Sequence, residues 1–106
     1  MVKLVTKEIE EMFKKIGSQE NNPDPIVVVK FFNPAGPGTW YATEYRPKDR
    51  EFFGFVSLFG DECDEWGSFS LDELQSVKGM FGLGIERDLY FEPQPISKVC
   101  PKAIGG

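Results

Sequence analysis

The stretch TWYATEYRPKDREFFGFVSLF, Thr39–Phe59, decides the fold class. Its first seven residues, Thr39–Tyr45, alternate and are rich in β-branched and aromatic types, the composition of a pleated, half-buried surface. Arg46-Pro47-Lys48-Asp49-Arg50 is a polar turn sequence. From Glu51 to Phe59 the pattern becomes strand again. Because side chains alternate between faces, Phe53, Phe55, Ser57 and Phe59 share one face, and Phe52, Val56 and Leu58 share the other. The two strands therefore form an antiparallel hairpin that is apolar on both sides. Each face requires a cover, or one is left open as a site.

Working outward, Ile26–Phe32 (IVVVKFF) is a β-branched run apolar on both faces, which predicts a central strand interrupted by Lys30. The turn cluster Asn33–Gly38 leads from it into the hairpin. Before it, Ser18–Pro25 (SQENNPDP) is a loop, since its two prolines exclude helix. Residues 6–16 read as a helix. Ile9, Met12, Phe13 and Ile16 make one apolar stripe, Thr6 is its N-cap and Gly17 its C′ residue.

After the hairpin, Gly60–Glu65 is an acidic loop and Trp66–Phe69 a short fourth strand. Ser70-Leu71-Asp72-Glu73 has the spacing of a capping box and predicts a helix over about 71–78. A last strand is expected at 87–91, ended by Pro93 and Pro95. The fold class expected is α+β. It is a four- or five-stranded antiparallel meander with an N-terminal helix and a second short helix after strand four. The chain, 1–106, reads as a single domain with its ordered core at about 3–98 and a weakly specified tail at 99–106.

Charge is distributed unevenly. Between Asp61 and Val77 lie six of the 17 acidic residues and none of the 12 basic ones, on a chain of net charge −5. An acidic chain is a poor general ligand for phosphate backbones, so direct nucleic-acid binding is not expected. Phe53-Gly54-Phe55-Val56 resembles an RNA-recognition strand. However, Glu51 and Phe52 stand where that motif has a basic residue and a glycine, and core packing of the phenylalanines is the default. Gly54 there marks a bulge or a close backbone approach.

No histidine is present, which removes Ser-His, Cys-His and histidine–metal chemistry. The two cysteines, Cys63 and Cys100, form no CxxC pair and read as free thiols of the reducing cytosol, with a single disulfide as the alternative. A cytoplasmic location is therefore expected, and no run is apolar enough for a membrane span. No cofactor is expected. No metal site is assigned; a weak surface divalent site on Asp61, Glu62, Asp64 and Glu65 is the alternative to a merely solvated cluster, because hard cations accept carboxylates.

The segments GTWYATEY (38–45), FFGFVSLFGD (52–61), DEWGSFSLDEL (64–74) and GLGIERDLYFEP (82–93) together resemble domain-of-unknown-function family 2958, over roughly residues 3–98. The resemblance implies a small single-domain protein of bacteria, plasmids and phages, often carried on mobile elements. It implies no reaction and assigns no site residue.

The functional expectation is a protein-binding accessory module. Its candidate surface is Asp61, Glu62, Asp64, Glu65 and Trp66, with Trp40 and Tyr41 nearby on the sheet, because aromatics ringed by charge are favoured interface anchors. Two other readings compete. One is an acidic mimic of nucleic acid that inhibits a defence nuclease. The other is a small carboxylate-dependent enzyme using Glu44, Tyr41 or Glu86.

Overall fold

The computed structural model describes residues 3–58, 64–77 and 84–104. Helix α1 spans Lys7–Ile16. The Thr6 hydroxyl accepts from the Ile9 amide, and Gly17, at φ 73°, closes the C-terminus with its amide on the Phe13 carbonyl. A left-handed φ at that position is what favours glycine.

Among the described residues the main sheet has five strands: β2 (Val29–Phe32), β3 (Thr39–Arg46), β4 (Glu51–Ser57), β5 (Glu65–Ser70) and β6 (Glu86–Arg87). Their spatial order is β5-β4-β3-β2-β6 and every pairing is antiparallel. The expected α+β class, meander and N-terminal helix are all present. Helix α2, Leu71–Ser76, follows β5 directly, with the Ser70 hydroxyl accepting from the Glu73 amide.

Three boundaries differ from the sequence reading. The run 26–32 is broken at Val28, whose amide turns to the Ala42 carbonyl. Its first part, β1 (Ile26–Val27), pairs instead with β7 (Gln94–Pro95) in a separate two-stranded ribbon. The last strand of the main sheet lies at 86–87 rather than 87–91. Asp88 ends it, because its carboxylate accepts from the Tyr90 amide and its carbonyl from the Phe91 amide, folding 88–91 into a turn. Third, the tail is packed through Ile104 as helix α3 (Ile96–Val99) and a 3₁₀ turn (Pro101–Ile104).

That tail answers the question raised by the two-faced hairpin. One sheet face carries Phe31, Ala42, Phe52 and Phe69 and is covered by α1 through Ile9 and Phe13, with α2 adding Leu71 and Leu74. The opposite face carries Phe55, Tyr41 and Trp66 and is covered by Ile96, Cys100 and Ala103. Phe52 lies at the centre of the first core, within 5.2 Å of the centroids of Phe31, Tyr45 and Phe69.

Gly54 marks the close approach read from the sequence. A Cβ there would stand 1.9 Å from the Tyr41 carbonyl oxygen. Next to it, the β3–β4 register shifts between Ala42 and Glu44, so Thr43 is bulged.

Candidate functional site

The bulge leaves the Thr43 carbonyl without a ladder partner, and a loop residue supplies one. Gln19 is buried, and its Nε2 donates to Thr43 O and Ile26 O, both at 2.8 Å. Its Oε1 accepts from the Ile26 amide at 2.6 Å and from Asn22 Nδ2 at 3.4 Å. Thr43 Oγ1 donates in turn to Phe53 O. An amide with donors and acceptor all satisfied is a strong clamp, because breaking it leaves several buried polar groups unpaired. It fixes the 18–25 loop as a wall rising from the bulged end of the sheet.

A second wall is the C-terminal segment, held at both ends. Helix α3 begins after Pro95, which has no capping side chain. Asp24 caps it from the other wall, accepting from the Ser97 amide (3.0 Å) and hydroxyl (2.6 Å). At the far end, Trp66 Nε1 donates to Ala103 O at 2.7 Å. Lys102 pairs with Asp64, whose side chain is 2% exposed and whose Oδ2 also accepts from Ser57 Oγ at 2.9 Å. Beneath this segment Tyr41 lies against Cys100. Burial raises the ionisation of the Tyr41 phenol above its ordinary range, and burial likewise raises that of the Cys100 thiol.

The two walls leave part of the sheet face uncovered. The result is a cleft of about 640 Å³, floored by Thr43, Glu44, Phe53 and Trp66 and bounded by Pro23, Pro25 and Ile104. Cross-strand register sets its floor. Glu44 of β3, Phe53 of β4 and Ser68 of β5 form one row, with Trp66 one row away on the same face. The Phe53 and Trp66 rings stack at 6.0 Å and 17°. Phe53 remains 39% exposed, so it is not the core residue its sequence setting suggests. Arg46 sits at the rim, paired with Glu51 and with Asp49 at 3.8 Å.

The expected surface is divided by this arrangement. Trp66, Tyr41 and Asp64 are on the C-terminal face, with Tyr41 and Asp64 largely beneath the covering segment. Trp40 is on the opposite face, against the α1 core, in the row of Val56 and Glu65. The physical reason is the alternation of strand side chains: Trp40 and Tyr41 are neighbours in sequence and so point to opposite faces. Asp61 and Glu62 lie outside the described residues, as does Cys63. Of the other acids, Asp72 pairs with Arg50 at 2.8 Å, and Glu65 is exposed. No group of three metal-ligating side chains is formed among the described residues. Glu86, named in the enzyme reading, is on β6 at the far edge of the sheet from this cleft.

Two features of the cleft were not read from the sequence. One had a signal. Ile96, Val99, Cys100 and Ala103 have the i, i+3, i+4, i+7 spacing of an amphipathic helix. Pro101 disguises it, yet proline fits the first position of the 3₁₀ turn, where no amide bond is required. Gln19 had none, since a polar residue in a polar loop looks solvated until the bulge it serves is known.

A family model described as a protein of unknown function (DUF2958) matches residues 4–103. No curated protein matches the chain. No solved structure matches it either.

Proposed function

We propose, for a chain that belongs to the DUF2958 family of proteins of unknown function, that it is a non-enzymatic accessory module that binds another protein through the cleft between the 18–25 loop and the C-terminal 3₁₀ turn. The observation that carries this reading is the stacked Phe53–Trp66 pair, left partly exposed on the floor of a cleft whose walls are clamped from below. Aromatic anchors in a preformed hollow are the usual centre of a protein interface, because they bury much area with little side-chain entropy to lose. A reducing cytosol is the compartment we assign, supported by the free, buried Cys100 thiol.

The phosphate-mimic reading draws less support. Asp64 is spent on Lys102 and Ser57, and Asp72 on Arg50. Both acids are thus engaged by basic side chains of this chain, Asp64 in a buried setting and Asp72 at the surface.

The test is affinity capture of a partner with purified protein, comparing wild type, Phe53→Glu and Lys7→Glu. Lys7 is exposed in the first turn of α1 and does not line the cleft. A specific partner lost with Phe53→Glu and retained with Lys7→Glu is the expected result. A partner that both variants retain places binding elsewhere and overturns the cleft.

A further inference from the structure

The geometry points to an arginine side chain of the partner protein as the group this cleft takes, its guanidinium lying against the Phe53 ring and paired with the Glu44 carboxylate. The inference rests on the protein-binding reading above and specifies its chemistry.

Three observations meet at this point. First, Glu44 and Phe53 are direct cross-strand partners, so a carboxylate and an exposed aromatic ring stand side by side on one face. Side chains in that relation have their Cβ atoms roughly 5 Å apart. Second, the cleft holds unbalanced negative charge. Glu20 and Glu44 both line it and neither has an ion pair among the described residues. The basic residue that lines it, Arg46, is already engaged by Glu51 and Asp49. Third, the Phe53 ring is fixed by stacking on Trp66. A ligand therefore meets an ordered π surface and pays little to organise it.

A cation is attracted both to a ring face and to a carboxylate. Guanidinium satisfies the two at once, because it is planar enough to stack while its N–H fork meets a carboxylate. An ammonium is a compact, strongly hydrated charge that gains less from the ring. The cleft is also larger than one side chain needs. The apolar edges of Pro23, Pro25 and Ile104 provide contact for the residues flanking the arginine.

The test uses N-acetyl-arginine methylamide as the probe, titrated into ¹⁵N-labelled full-length protein, with the Trp66 indole N–H as reporter. The neutral citrulline analogue, of nearly the same shape, isolates charge, and the lysine analogue isolates planarity. We expect a saturable shift with arginine, and binding about tenfold weaker for citrulline and for the Glu44→Gln protein. Phe53→Leu, which keeps an apolar side chain and removes the ring, should weaken arginine by about threefold or more. Equal binding of citrulline, equal or tighter binding of lysine, indifference to Glu44→Gln, or no saturable shift would each overturn the inference. If a captured partner needs Phe53 but ignores Glu44→Gln, the protein-binding role stands and the arginine falls. If arginine binds as expected while Phe53→Glu retains every partner, the role falls instead.

Discussion

The Trp66 indole donates a 2.7 Å hydrogen bond to the carbonyl of Ala103, tying the edge strand β5 to the last described turn of the chain. Both residues line the cleft, so a single bond fixes one of its walls to its floor. Trp66→Phe keeps an aromatic ring over Phe53 and Phe55 but leaves the Ala103 carbonyl unpaired. We expect a loss of about 1–2 kcal/mol in urea unfolding. Hydrogen exchange should rise at residues 96–104 while the α1 core keeps its protection.

Gln19 is the clamp of the other wall. Gln19→Ala removes the partner of the Thr43 carbonyl and of both backbone groups of Ile26. The cost should be about 2–3 kcal/mol, read from the denaturant midpoint at unchanged slope. Gln19→Glu tests the mechanism, because a carboxylate can still accept from the Ile26 amide but cannot donate to the two carbonyls. It should recover little of the loss.

Gly54→Ala places a methyl 1.9 Å from the Tyr41 carbonyl oxygen, where backbone and not a flexible side chain must yield. The loss should be about 3 kcal/mol or more, among the largest available from adding one methyl group. Gly67→Ala, on the neighbouring strand and with nothing within 4 Å of the added carbon, is the matched control. A small effect at Gly54 would mean that β3 and β4 separate more easily than their packing indicates.

Stability should fall in alkali. The Cys100 thiol and the Tyr41 phenol have ionisations raised in the folded state by burial, from ordinary values of 9.0 and 10.0. Above those values the unfolded chain releases protons that the folded chain retains. Their contribution is therefore complete below about pH 9 and is lost as pH rises through the raised folded values. Urea midpoints measured from pH 8 to 11 should decline. The double variant Cys100→Ala, Tyr41→Phe should show a flatter decline.

Asp24→Ala removes the cap that the loop wall supplies to α3. We expect about 1 kcal/mol of destabilisation and faster proteolysis within residues 96–104. Ser97→Ala removes only the hydroxyl bond, leaves the amide contact, and should cost less.

The elements of this protein were legible because their signals are local. The stripe Ile9, Met12, Phe13 and Ile16 between Thr6 and Gly17 specifies α1. Alternation across Thr39–Phe59 specifies the central hairpin, and Ser70 with Glu73 opens α2. Even the crowding at Gly54 was readable, since glycine amid bulky strand residues needs a reason. What the sequence left open was which residues cover the second face of the sheet, and so where the uncovered floor lies. That depended on contacts between positions far apart in the chain: Gln19 with Thr43, Asp24 with Ser97, Asp64 with Lys102, and Trp66 with Ala103. Periodicity reports that a strand has two apolar faces. It carries no information on the distant segment that buries each one, and only the assembled structure left Phe53 and Glu44 together on an uncovered floor.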